Sequence, residues 1–173
     1  MKRITLSLLL AGIIAVSCSK QENESADQKY TGREVTYSLY QASDYPTSGK
    51  IVFKELTGGK VEVDVQLSGT EGDATHPVHL HYGNLQTVDA GIAANFNDVK
   101  ASTGLSETVV TNFNDDTPLT FEKIENFDGS VKVHLAATGP GEEVILAAGN
   151  IGTNKDLDSG REGRVSVTVC KSE

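Results

Sequence analysis

Val61-Glu62-Val63-Asp64-Val65-Gln66-Leu67 alternates without a break, aliphatic at every odd number and polar between. Successive side chains of an extended strand point to opposite faces, so this stretch reads as a half-buried β-strand with one wet face. Gly58-Gly59 stands just before it, and residues 50–56 (KIVFKEL) stand before the glycines. Two apolar runs separated by a Gly-Gly turn predict an antiparallel hairpin. Residues 33–40 (REVTYSLY) alternate in the same way, with Val35, Tyr37 and Leu39 on one face. Residues 131–136, 143–148 and 164–169 complete the strand candidates. Two stretches read differently. Val88, Ile92 and Phe96 recur at helical spacing and Val99 continues the row, while Thr117-Pro118 ahead of residues 119–127 reads as an N-cap with proline at the first helical position. The pattern predicts an all-β sandwich or barrel carrying one or two short helical insertions.

The chemistry is concentrated in His76-Pro77-Val78-His79-Leu80-His81-Tyr82-Gly83, which holds three of the four histidines. The fourth, His134, lies in Val131-Lys132-Val133-His134-Leu135. Parity places Val78, Leu80 and Tyr82 on one face and His79 and His81 on the other; it places Val131, Val133 and Leu135 on one face and Lys132, His134 and Ala136 on the other. The aliphatic faces pack inward and the histidines face away from the core. If the two strands are neighbours, His79, His81 and His134 converge on the outside. Neutral imidazole offers a nitrogen lone pair near pH 7, and three of them at about 2.0–2.1 Å from one ion make a site for copper or zinc. His76 is off parity, but Pro77 breaks the ladder beside it, which lets His76 bend back as a fourth ligand. By contrast, residues 154–160 (NKDLDSG) read as a polar turn, their glycine standing one place late for a calcium loop.

Ser48-Gly49-Lys50-Ile51-Val52-Phe53, then residues 59–69 (GKVEVDVQLSG), then the histidine run, resemble the opening of the Cu/Zn superoxide dismutases and of the related CHRD-domain proteins. Residues 131–152 (VKVHLAATGPGEEVILAAGNIG) are similar to the strand with the last copper histidine, the glycine-rich loop and the closing Ala-x-Gly-x-Ile-Gly of those families. The resemblance covers residues 48–152 in one order. It implies a Greek-key β-sandwich with His79, His81 and His134 in the positions of copper ligands. The chain also departs from the dismutases. No histidine lies between His81 and His134, so the bridging histidine and the zinc subsite are missing. Ala147-Ala148 replaces the motif that carries the dismutase cysteine, and Ile145 stands near the place of the arginine that steers superoxide. What the resemblance implies is a scaffold with one mononuclear site.

At the N-terminus, Lys2 and Arg3 precede an apolar run over residues 4–16, and Ala15-Val16-Ser17-Cys18 follows. This resembles the lipobox of bacterial lipoproteins, which implies a signal peptide over residues 1–17 and an acylated Cys18 that holds the chain to a membrane. Residues 18–29 then form the lipidated cysteine and a polar, flexible linker, and residues 30–173 form one domain. Removing Lys2 and Arg3 from the 15 basic residues leaves 13 against 24 acidic ones, a net charge of -11. Such acidity argues against a nucleic-acid partner. With Cys18 acylated only Cys170 remains, so no intramolecular disulfide forms.

These readings together predict a non-enzymatic protein of the bacterial cell envelope, anchored in the outer membrane on its periplasmic or surface side. It presents a surface histidine site for one copper or zinc ion, for metal buffering, delivery or tolerance. A copper-only redox protein with weak superoxide dismutase activity is the competing enzyme reading. An interaction module whose histidines are incidental is the competing structural one.

Overall fold

The computed structural model describes residues 29–158 and 163–168. The expected signal peptide, Cys18, nearly all of the linker and Cys170 lie outside the described residues. Eight strands follow in order: β1 (Tyr30–Gln41), β2 (Ser48–Leu56), β3 (Val61–Ser68), β4 (Thr75–Tyr82), β5 (Ile92–Lys100), β6 (Leu105–Val110), β7 (Asp128–His134) and β8 (Ile145–Gly152). A five-residue helix, α1 (Phe121–Glu125), lies between β6 and β7. No helix among the described residues is long and apolar enough to cross a membrane.

The strands form one antiparallel sheet in the order β1-β2-β3-β6-β5-β4-β7-β8. Tyr40 pairs with Ala148 and Gln41 with Ala147, which joins the last strand to the first and closes a barrel. The Greek-key β-sandwich is therefore corrected. A sandwich stacks two sheets, each with free edges; here a single sheet curls round one core and has no free edge. Alternation fixes which face of each strand is buried and is the same in both architectures. What separates them is the pairing of Tyr40 with Ala148, a contact between distant segments that period two does not encode.

The hairpin between β2 and β3 forms as its sequence predicts. Gly58 (φ 91°) and Gly59 (φ 80°) take the left-handed backbone that suits glycine, and the Leu56 amide donates to the Lys60 carbonyl at 2.9 Å. Val61, Val63 and Val65 are fully buried, and with Phe53, Ile51, Val78, Leu80, Val131 and Val133 they form the barrel interior. Phe53 meets Tyr37 and Phe96 edge-on at 6.0 and 6.1 Å. On the wet face of β3, Glu62 is nonetheless only 1% exposed. It accepts from the Tyr30 hydroxyl at 2.7 Å and from Lys29 at 2.6 Å, and Lys54 bridges it to Asp64.

Three local expectations are corrected. Residues 92–99 are strand, not helix: Ala93, Ala94, Phe96 and Val99 are buried. The β4–β5 register slips twice, between His76 and Val78 and between Leu80 and His81, so the buried phase of β5 jumps, while Val88 lies in a turn and, like Ile92, is exposed. Thr117-Pro118 does not start the helix either, because Asn112 and Pro118 form a bridge. The N-cap is Thr120, whose hydroxyl accepts from the Lys123 amide. Residues 164–168 cross the outside of the barrel without joining the sheet, the Val165 amide donating to the Gln41 carbonyl at 2.8 Å and the Thr168 amide to the Leu85 carbonyl at 3.0 Å. Val165 and Leu85 there cover Ile145 and Ala148 in a small second core.

Closure requires close backbone approach. A Cβ on Gly149 of β8 would stand 2.0 Å from the Ser38 carbonyl oxygen of β1. Gly149→Ala is therefore expected to force β1 and β8 apart, destabilising by about 2 kcal/mol and lowering the melting temperature by roughly 4–8 °C. Thermal denaturation followed by circular dichroism measures this, and an unchanged midpoint would contradict a tight β1–β8 seam.

Candidate metal centre

β4 and β7 are neighbours, paired without interruption from Val78–Val133 to Tyr82–Gly129. The register slips beside them place their extra residues in β5 and β8, so both histidine strands keep a clean period of two. Val78, Leu80, Val131 and Val133 accordingly point into the core with no exposure, and His79, His81, Lys132 and His134 point out of the barrel. Tyr82 departs from the expected inward set: it is 44% exposed at the strand end, its ring 5.6 Å from that of Phe127. The shifts lie in the two strands that flank the histidine ladder, and bulges are common beside functional sites.

The three imidazoles meet. Ring centroids are 4.8 Å apart for His79 and His134, 6.0 Å for His79 and His81, and 6.2 Å for His81 and His134. One ring nitrogen from each can be chosen so that all lie within 4.8 Å of one another. Bonds of about 2.0–2.1 Å to a common ion need nitrogens about 3.4 Å apart, so rotations that move each ring by roughly 1 Å suffice. His76 stands apart from this group; it is buried, and its Nδ1–H donates to the Leu135 carbonyl at 3.0 Å.

The site lies on the outside of the barrel and is largely covered, with His79 partly exposed. His81 is 1% exposed and His134 7%. The connections after β4 and after β7 fold over them, and each supplies a carbonyl. His81 Nδ1–H donates to the Ala90 carbonyl at 3.0 Å, and His134 Nδ1–H donates to the Glu142 carbonyl at 2.7 Å. A carbonyl can only accept, so both rings hold their proton on Nδ1 and carry the lone pair on Nε2. Such anchoring of one nitrogen by a backbone carbonyl is the usual support of a metal-bound histidine. His134 Nε2 and His79 Nδ1 are buried and make no hydrogen bond. Buried polar atoms are seldom left in that state, and an ion between them would satisfy both.

Electrostatics keep the lone pairs available. Burial pushes His79 down to about 4, helped by His134 and opposed by Asp98. Burial likewise pushes His81 down to about 4, against the Ala90 carbonyl and with help from the Lys132 ammonium. His134 is lowered by burial, against the Glu142 carbonyl, with Lys132 adding to the shift. A second group, Glu62, Asp64 and Glu107, is also close enough for a cation, but Lys54 and Lys29 already sit among its carboxylates. Sequence reasoning placed Lys132 on the histidine face without giving it a role, yet it has no exposure at all, and its ammonium donates to the Thr168 carbonyl at 3.0 Å. The signal was present as a lysine between two inward valines beside a histidine. The carbonyls of Ala90 and Glu142 had no signal, since a backbone ligand carries no residue identity.

The depressed values set a pH dependence for the metal-free protein. Unfolded histidine takes its proton near pH 6.5, whereas His79 and His81 wait until about 4. Between those values the unfolded state binds more protons, so stability is complete above pH 6.5 and falls as pH drops toward 4. Urea denaturation across pH 7 to 4 is expected to show this decline in the natural protein and a shallower one in His79→Ala/His81→Ala. Parallel curves would contradict the buried, neutral state. In comparisons with known proteins, no family model matches the chain, and neither a curated protein nor a solved structure matches it.

Proposed function

We propose that this chain is a lipid-anchored cell-envelope protein whose barrel holds one copper or zinc ion at His79, His81 and His134, for metal buffering, delivery or tolerance. One observation carries the reading: three imidazoles from two strands far apart in sequence but paired in the sheet converge, and His79 and His134 each keep a buried, unbonded nitrogen. An all-nitrogen donor set suits copper and zinc, and the anchored Nδ1 atoms of His81 and His134 preorganise it. Cover by the two connections favours holding an ion over exchanging a substrate. The anchor rests on the sequence around Cys18 and on the linker that follows it.

Purified protein, dialysed against a weak chelator, is expected to retain one equivalent of copper or zinc, and His79→Ala/His81→Ala to retain none. Equal retention by the double variant would overturn the site. Because the imidazoles stay neutral well below pH 6, retention is expected to persist to about pH 5, where an exposed histidine cluster would release its ion. Superoxide removal by the copper-loaded protein, lost in the double variant, would assign the redox reading instead. For the anchor, Cys18→Ser is expected to move the protein from the membrane fraction to the soluble fraction. Continued membrane retention of that variant would refute acylation at Cys18.

A further inference from the structure

We propose that the end of the barrel at which β1 begins is a membrane-seating face, held against the lipid bilayer in which Cys18 is anchored. This deepens the lipid-anchor reading and rests on it. Neighbouring strands run in opposite directions all round the sheet. One end of the barrel therefore collects the starts of β1, β3, β5 and β7 and the ends of β2, β4, β6 and β8. Lys29 leads into β1 at this end, which also carries the connections 57–60, 83–91 and 111–127. Among the described residues, seven large apolar side chains are exposed, and five of them belong here. Tyr82 closes β4, Val88 lies in the connection that follows, Ile92 opens β5, Val109 is the last residue but one of β6, and Leu157 comes after β8. Tyr45 and Leu105 belong to the opposite end. Single exposed apolar residues are ordinary, whereas their gathering at one end marks a contact surface.

The patch is densest around the β4–β5 connection. The Tyr82 amide donates to the Gly91 carbonyl at 3.0 Å, which sets Tyr82 beside Ile92. The Tyr82 ring lies 5.6 Å from that of half-buried Phe127, which stacks on Phe113 at 5.4 Å. Val88 is 68% exposed. Tyrosine with aliphatic neighbours suits the level of lipid headgroups, where the ring is buried and the hydroxyl stays wet.

The anchor decides what covers this patch. Cys18 stands 11 residues before Lys29, and a chain of that length reaches at most about 40 Å even when extended. An acyl anchor at Cys18 thus brings the bilayer to the end where β1 begins. Contact with lipid becomes intramolecular, so an apolar surface too small to hold a protein on a membrane by itself is sufficient. Asp89, Asp115 and Asp116 share the connections at this end with Lys60, and the net charge after residue 17 is -11. Attraction to anionic headgroups therefore does not drive the seating; burial of apolar surface does.

The chain contains no tryptophan, so a single introduced one reports its own surroundings. The test uses full-length Val88→Trp and Tyr45→Trp on vesicles of phosphatidylcholine and phosphatidylethanolamine, with and without brominated acyl chains. Val88→Trp is expected to emit at shorter wavelength, to be quenched by brominated lipid and to keep that quenching in high salt. Tyr45→Trp is expected to stay in water, open to acrylamide. Adding Tyr82→Ser and Ile92→Ser to Val88→Trp is expected to cut the lipid quenching by about half or more. Chains that pellet with the vesicles but show equal quenching at both positions, or none at either, would overturn the seating and leave the anchor standing. Failure of these chains and of the natural one to pellet would remove anchor and seat together. A blue shift without lipid quenching, growing with protein concentration, would give the patch to a second copy of the chain and overturn the proposal.

Discussion

The pairing of β4 with β7 is the constraint on which the rest depends. It aligns two strands so that Val78, Leu80, Val131 and Val133 fall on one side and His79, His81, Lys132 and His134 on the other. A slip of one residue in this ladder would turn the valines to the outside and drive imidazoles and an ammonium into the core. Core and site are thus two faces of one register. The aliphatic side stabilises the alignment through burial, and the polar side uses that stability to hold three rings within reach of one another. The slips in register that flank the ladder sit in β5 and β8, so distortion is displaced into strands that carry no histidine.

Burial gives the polar face its chemical character. Histidines on an open strand face titrate near neutrality and swing freely. Here the connections over the barrel dehydrate the rings, hold them neutral and lock the proton of His81 and His134 onto Nδ1. Each connection is tied down in turn: the chain after β4 by the Asn150 side chain, which accepts from the Leu85 amide, and the chain after β7 by the Leu135–Val144 backbone bond. Neutrality and tautomer therefore share a single cause, the burial of one side of a β-ladder.

Much of this was legible in the residues. Strict alternation in 61–67, 78–81 and 131–134 told which side chains go inward, and the Gly58-Gly59 turn marked its hairpin. The convergence of His79, His81 and His134 could be read as soon as the two strands were taken as neighbours. What could not be read had non-local causes. Closure depends on Tyr40 finding Ala148, and nothing in either segment specifies the partner. The apparent helix at 88–99 misled because its row is not one buried face: Val88 and Ile92 are exposed, and Phe96 and Val99 reach the core. The cover over the histidines was hidden because loops act there through their carbonyls. His76 was drawn toward the site by its place beside Pro77, whereas the Leu135 carbonyl holds it elsewhere.

Closure of the barrel also has a kinetic consequence. β1 cannot complete its second ladder until residues 147 and 148 exist, and β4 must wait for β7. Few stable units are available to a partly synthesised chain, since the seams that seal the structure join its early and late portions. Such topology folds late and comparatively slowly. Until the last seam closes, an unsealed polypeptide of this kind keeps its strand edges open to pairing with other chains.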